Sequence, residues 1–338
     1  MELHSVELTR RILIGNDVLG KVPQVCKELN LKGPVLLLTG PNTKRIAGNA
    51  VRDYMEDEGF VTDKVIVRDS MDERNFEKSS PRFLVGVGSG KVMEMAKYLS
   101  HRLDVPFISV PTAPSHDGVV SSRLTVGDTT QSYNGPTPLS IIADISIIRD
   151  APEHLISSGC GDLMANVTAV EDWKLGSKEK GEYYSEYAAA LSLLAVETLI
   201  HSTLLIKERK ERGMKNLMEA LITSAIAMNV VGSSRPCSGA EHNLYHYLVS
   251  KGCEAAHGDI CSVGTIFSAY LHGLDWKGIR KTLEGIGTAV TASEIGIDED
   301  GIVEALSNCH TVRDRWTVLR NGVPESDVRR ICKETGII

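Results

Sequence analysis

The chain has no C-x-x-C pair, and its seven cysteines, at 26, 160, 237, 253, 261, 309 and 332, are odd in number and scattered over 338 residues. A disulfide framework is therefore not expected, and reduced thiols in a cytoplasmic setting are. The start, "MELHSVELTRR", lacks an apolar leader core, and the most apolar later run, "AAALSLLAVETLI", is broken by Glu197 and too short to cross a bilayer. The expectation is a soluble, unexported protein without a membrane span. No Lys/Arg stripe interleaved with aromatics occurs, and the net charge is −7, which argues against a nucleic-acid partner. Low-complexity tracts and repeats of solenoid period are absent as well.

What remains is ordinary globular composition, 42% hydrophobic and 24% charged, in a chain long enough for two cores. In the first part, "PVLLLTG", "DKVIVRD", "RFLVGVGSG" and "VPFISVPT" read as fully apolar strands separated by amphipathic helices. That pattern means a parallel sheet covered on both faces. "SRLTV" and "LSIIADISII" read as further strands around the turn-rich "GDTTQSYNGPTP". From about residue 150 the period becomes helical, as in "GMKNLMEALITSAIAMNVVG", with Pro152 in "RDAPEHL" marking the change. The expected architecture is an α/β Rossmann-like domain over 1–150 and an all-helical domain over 151–338, with the chemistry in the cleft between them.

"FLVGVGSGKVMEMAKYL" is a strand, three alternating glycines and a helix, an arrangement that lets a pyrophosphate approach backbone N–H groups at a helix N-terminus. The same residues would also make a tight strand-to-helix turn. The glycines follow a later strand, not the first, and no carboxylate ends "LLLTGPNTKR", so the usual dinucleotide fingerprint is not met. A second loop, "VPTAPSHDGVVSS", gathers Thr112, Ser115, Asp117, Gly118, Ser121 and Ser122 after the next strand, and two such neighbouring loops favour a dinucleotide over a plain turn.

The chain has ten histidines, and three of them, His242, His246 and His257, fall within "SGAEHNLYHYLVSKGCEAAHGD". On a helix His242 and His246 share a face, and His257 opens the next helix. The order E-H-x-x-x-H is not that of a zincin protease, and spacing alone leaves open which histidines would bind a metal. Cys253, His257 and Cys261 form a rival, softer set. Among carboxylates, Asp162 in "SSGCGDLMANVTAVEDW" is the candidate, with helix N-capping as its alternative role, and Asp172, placed mid-helix on a charged face, is the weaker one.

Taken in order, "GVGSGKVMEMAKY", "VPTAPSHDG", "GDLMANVTAVEDWKL" and "SSRPCSGAEHNLYH" followed by "HGD" resemble the sn-glycerol-1-phosphate dehydrogenases of archaeal ether-lipid synthesis. These lie within the group that includes glycerol dehydrogenase, iron-type alcohol dehydrogenases and dehydroquinate synthase. The resemblance runs from the first strand to about residue 270. It implies reduction of dihydroxyacetone phosphate to sn-glycerol 1-phosphate by NADH or NADPH, with one Zn²⁺ per subunit of a cytoplasmic homo-oligomer. It places the metal on Asp162, His242 and His257, the substrate against Asp117, Asp162 and His246, and the catalytic roles on Asp162 and His246. The cofactor falls to Gly88, Ser89, Gly90, Lys91 and Val92 with Thr112, Ala113, Pro114, Ser115 and Ser121. "HGDICSVG" departs from the more familiar "HGEQVGLG", which alters the surroundings of His257. For the reaction itself, His246, with an ordinary near-neutral pKa, or a metal-bound water would relay the proton, and Arg235 would meet the phosphate. Lys44 and Arg45, beyond the strand that lacks a carboxylate, predict use of both cofactors. The rival readings are a polyol dehydrogenase acting on an unphosphorylated substrate and a lyase like dehydroquinate synthase.

Overall fold

The five residues "VLLLT" at 35–39 are all buried, so this strand has no solvent face. Val35 and Leu37 enter one hydrophobic cluster, while Leu36 and Leu38 enter another on the opposite face. The period-two alternation of a strand thus feeds two cores, the mark of a sheet covered on both sides.

The computed structural model describes residues 6–68, 80–125 and 132–338. Of these, 6–68, 80–114, 118–125 and 133–152 form one compact unit, and 115–117, 132 and 153–338 form a second. The first unit runs β1 (Arg11–Gly15), α1 (Val22–Glu28), β2 (Val35–Thr39), α2 (Asn49–Asp57), β3 (Thr62–Ile66), β4 (Phe83–Gly88), α3 (Gly90–Leu103), β5 (Phe107–Pro111), β6 (Arg123–Thr125), β7 (Ser132–Asn134), β8 (Ser140–Asp144) and α4 (Ile145–Arg149). Six strands make a parallel sheet in the order β1-β8-β5-β4-β2-β3, and β6 and β7 pair separately. Val22, Val25, Val51 and Met55 of α1 and α2 cover one face, and Val92, Met95, Ala96 and Leu99 of α3 cover the other.

From β2 the chain steps outward to β3, then returns to the other side of β2 to lay down β4 and β5. That reversal puts the crevice at the carboxyl ends of β2 and β4, where open parallel sheets take their ligands.

One strand of this unit was not read from the sequence, and one expectation needs correction. "RILIG" at 11–15 forms β1, an edge strand whose burial is only partial, so its apolar signal was too short to read. "LSIIADISII" is not one strand: Asp144 ends β8 and caps α4 by accepting the Ser146 N–H at 3.1 Å. Val126 and residues 127–131 of the turn-rich stretch lie outside the described residues.

The second unit is built of helices: α5 (Glu153–Lys180), α6 (Glu186–Lys207), α7 (Glu211–Val231), α8 (Ala240–Ser250), α9 (His257–His272), α10 (Trp276–Ile286), α11 (Glu299–Asn308) and α12 (Glu325–Thr335). The "KERKER" block falls at the α6–α7 turn, a solvated helix end. As a full 22-residue helix, α6 is long and apolar enough by composition to cross a membrane, which the shorter run read from the sequence was not. In this unit it packs along α7 and α5, with Tyr187, Leu194, Ile200 and Leu204 exposed.

Two glycines bring α5 and α9 into close backbone contact. A Cβ on Gly161 would sit 2.2 Å from the Gly258 carbonyl oxygen, and a Cβ on Gly258 would sit 1.7 Å from the Ser158 carbonyl oxygen. Only glycine at both positions lets the backbones approach this closely, and the Gly258 N–H then donates to Ser158 Oγ at 3.0 Å. The glycines of "SSGCGD" were read as preceding a helix; they lie inside one, because helix contact outweighs their weak helix propensity.

Candidate metal centre and cofactor loops

The α5–α9 contact sets where Asp162 and His257 meet. Asp162 lies inside α5, one residue beyond Gly161, and is not an N-cap; His257 is the first residue of α9, one before Gly258. Asp162 Oδ1 lies 3.0 Å from His257 Nε2 and 3.4 Å from His242 Nε2, and the two imidazole nitrogens are 3.2 Å apart. Cys261, one turn along α9, brings its sulfur to 3.7 Å from His257 Nε2. Asp162, His242, His257 and Cys261 thus place one ligating atom each within 4.8 Å of one another.

Glu241 sets the chemistry of this cluster, and the sequence reading gave it no role. It is fully buried, accepts the Thr168 hydroxyl at 3.0 Å, and lies 2.9 Å from His242 Nδ1. An Nδ1–H donated to this carboxylate leaves the Nε2 lone pair of His242 facing the cluster, the usual way a carboxylate orients a metal-bound histidine. Two imidazole nitrogens, a carboxylate oxygen and a sulfur converge on one point, the donor set that borderline divalent cations take. The residues therefore fit such a metal.

The cluster's groups set one another's titration: burial opposes charging His242 and His257, but Cys261 and Asp162 raise both imidazoles well above their ordinary value. Burial opposes ionisation of Asp162 and Glu241, but the surrounding imidazoles, joined at Glu241 by the Gly239 amide, outweigh it and hold both carboxylates below their ordinary values. Cys261 behaves likewise: burial would raise its thiol, and His242 and His257 pull it lower still. Away from the cluster, burial wins and pushes Cys26 and Cys309 up to about 12. Asp117 donates its N–H to Asp162 Oδ2 at 2.8 Å and accepts the Ser224 hydroxyl at 3.0 Å, and burial followed by the Asp162 charge push it up to about 7.

Glu241→Gln keeps the volume but weakens the acceptor. Metal affinity is expected to fall about 10- to 100-fold, the usual cost of losing such an outer partner, measured by competition with a chromophoric chelator; unchanged affinity would leave Glu241 a purely structural residue.

His246 shares α8 with His242 but makes no contact in the four-atom cluster. The expectation of a near-neutral pKa is not met: burial, then the charge of Arg313, depress it to about 2. Its folded-state value lies below the unfolded one, so stability is intact above about pH 6.5 and drains as pH falls toward the folded value, by up to about 1.4 kcal/mol per pH unit. In acid titrations of metal-free protein monitored by urea unfolding, His246→Asn is expected to show a shallower acid limb than the parent. An identical limb would mean the imidazole is solvated.

Other candidates sit in contacts outside the cluster. Asp172 is buried, not on a charged face, and accepts N–H groups from Ala240 at 2.7 Å and Val318 at 2.6 Å while pairing with His272 at 2.9 Å. Its charge caps the N-terminus of α8, the helix that carries His242. Arg235, the residue read as the phosphate contact, is engaged by Glu182 and by the Trp316 carbonyl at 2.8 Å. Cys253 of the rival metal set faces the Ile295 carbonyl, outside the cluster.

Of the two loops read as a dinucleotide seat, the glycine turn, Thr112–Pro114 and Ser121 belong to the first unit and Ser115 to the second. Gly88 ends β4, and a Cβ there would lie 2.7 Å from Val92, so only glycine lets the loop turn tightly into α3. Ser89 caps α3 without using its side chain on the helix. The Thr112 N–H donates to the Gly88 carbonyl at 2.9 Å, which fixes the two loops side by side, with Ala113 and Pro114 buried beyond. Lys91 and Val92 open α3, and a Cβ on Gly40, just beyond β2, would meet Val92 Cγ2 at 3.6 Å. Ser121 is buried with its Oγ accepting the Arg123 N–H at 3.3 Å. Ser115, in the second unit, is buried; its carbonyl accepts the Ser158 hydroxyl at 3.0 Å, while its own hydroxyl has no partner among the described residues.

A family model described as iron-containing alcohol dehydrogenase matches residues 13–152. A glycerol-1-phosphate dehydrogenase of Methanosarcina mazei, described as NAD(P)+-dependent, is 43% identical over 98% of this chain and 96% of its own. The enzyme of the same description from Pyrococcus furiosus is 39% identical over 99% and 100%. Among solved structures, glycerol dehydrogenase from Schizosaccharomyces pombe aligns with a TM-score of 0.78 at 18% identity, over 99% of this chain and 91% of its own. Maleylacetate reductase from Agrobacterium tumefaciens aligns with 0.76 at 15% identity, over 99% and 98%. These two likenesses speak to the fold.

Proposed function

The chain belongs to the NAD(P)+-dependent glycerol-1-phosphate dehydrogenase family and is an oxidoreductase, and from that premise we propose how its residues work. The substrate is dihydroxyacetone phosphate, reduced to sn-glycerol 1-phosphate for a lipid backbone, by a zinc-dependent, cytoplasmic homo-oligomer. The observation that carries the reading is the convergence of Asp162 Oδ1, His242 Nε2 and His257 Nε2 within 3.0–3.4 Å of one another.

Asp162, His242 and His257 would hold the ion, which when bound supplies Lewis-acid polarisation of a ketone as hydride arrives from the nicotinamide. Glu241 holds the His242 ring in the ligating tautomer, and Asp117 orients Asp162 through its backbone N–H. His246, kept neutral, offers one ring N–H and one lone pair to a substrate hydroxyl, a positioning contact and not a charged acid. The Gly88–Val92 turn and the Thr112–Pro114 loop, with Ser115 and Ser121, take the dinucleotide. β2 ends at Thr39 with no carboxylate to select NADH, and Lys44 and Arg45 follow it, which supports use of both NADH and NADPH.

The test is oxidation of NADH and of NADPH by zinc-loaded protein, with dihydroxyacetone phosphate against dihydroxyacetone. A strong preference for the phosphorylated ketone with either cofactor is the expected outcome. Preference for the free ketone would move the protein to the polyol dehydrogenases and end this reading.

A further inference from the structure

We propose that Cys261 is a fourth ligand of the metal centre, so that the resting site is a closed Asp-His-His-Cys tetrahedron. The proposal rests on the metal site proposed above and concerns a residue that neither the sequence reading nor the resemblance placed with Asp162 and His242.

Geometry carries it. Zinc holds nitrogen and oxygen ligands at about 2.0–2.2 Å and sulfur at about 2.3 Å, so a tetrahedron has edges of roughly 3.3 Å between N and O ligands and roughly 3.6 Å between N and S. The measured edges are 3.0 Å from Asp162 to His257, 3.4 Å from Asp162 to His242, 3.2 Å between the histidines and 3.7 Å from His257 to the Cys261 sulfur. All four ligating atoms lie within 4.8 Å of one another.

Position adds to the argument. His257 and Cys261 are four apart on α9, so one helix face delivers both ligands and no loop has to move to bring the sulfur in. Cys261 is fully buried. Its neighbour at Gly264 leaves room for α8, where a Cβ would lie 2.8 Å from the Glu241 Cα, so α9 is pressed against the helix carrying His242 along the same face.

The charge balance changes accordingly. Two neutral imidazoles and one carboxylate leave a divalent ion with net charge +1; a thiolate brings the centre to zero. A softer, neutral centre favours zinc and cobalt over magnesium and manganese. With the sulfur bound, the four residues would fill every tetrahedral position of the ion.

The experiment replaces the native ion with Co²⁺ and records metal content and absorption on the same sample. The expected result is one cobalt per chain with a near-ultraviolet thiolate-to-cobalt charge-transfer band. That band is lost in Cys261→Ser and kept in Cys253→Ser, and Cys261→Ser still binds cobalt, at least tenfold more weakly. Cys261→Ala gives the same comparison where the serine variant unfolds. Cobalt bound at one per chain without the band, or a band surviving removal of Cys261, overturns the proposal while leaving the three-ligand site intact. Failure of the parent protein to bind cobalt at all overturns both.

Discussion

His257→Ala is expected to lower kcat/KM by about three orders of magnitude, since a catalytic metal contributes several kcal/mol to stabilising the transition state and ~4 kcal/mol is about a thousandfold. The size of the effect follows from the place of His257 at the centre of the cluster. Its Nε2 lies 3.0 Å from Asp162, 3.2 Å from His242 and 3.7 Å from Cys261, so its loss opens every edge it shares. The variant should retain less metal than the parent by elemental analysis, while its affinity for NADH, read by quenching of cofactor fluorescence, stays the same. The Gly88–Val92 turn and Thr112–Pro114 lie in the first unit and supply no atom to the four-residue cluster. A variant that keeps full metal content and full turnover would remove His257 from the centre.

Gly258→Ala should destabilise the protein by about 3 kcal/mol or more, the scale of severe overpacking in a close-packed interior. The added methyl would fall 1.7 Å from the Ser158 carbonyl oxygen, and backbone cannot rotate away as a side-chain end can. Either α9 shifts, carrying His257 away from Asp162, or the Gly258 N–H to Ser158 Oγ bond breaks. Urea unfolding and metal affinity should therefore fail together. Gly285→Ala in α10 is the matched control: its Cβ meets only Thr203 Cγ2, at 3.6 Å, so stability should be unchanged or slightly raised, as glycine is about 1 kcal/mol poorer than alanine inside a helix. Equal stability of the two variants would mean the α5–α9 contact is looser than described.

Much of this arrangement was legible in the sequence because local pattern carried it. The glycines and apolar run of "FLVGVGSGKVMEMAKYL" specify strand, turn and helix within a few residues, and the spacing of His242, His246 and His257 put the first two on one helix and the third at the start of the next, as β4, α3, α8 and α9 bear out. What escaped depends on contacts between distant segments. Nothing near Asp162 announces that Gly161 meets Gly258, so its glycines read as a helix boundary. Glu241 looks like any first-turn acid until Thr168 and His242 are seen on either side of it. Asp172 looked solvated until three donors from distant segments, on Ala240, His272 and Val318, closed around it. Arg235 beside Pro236 read as the phosphate contact, and only the fold shows the Glu182 carboxylate paired with it.

The candidate ligands come from α5, α8 and α9, segments far apart along the chain that the unfolded polypeptide has no means of gathering. An ion that binds only the gathered form adds its binding free energy to folding, about 2.7 kcal/mol when free metal stands at a hundred times its dissociation constant. For the metal-bound form proposed above, abundance then becomes a reading of metal supply, because proteolysis acts on opened chains and the unclamped population opens more often.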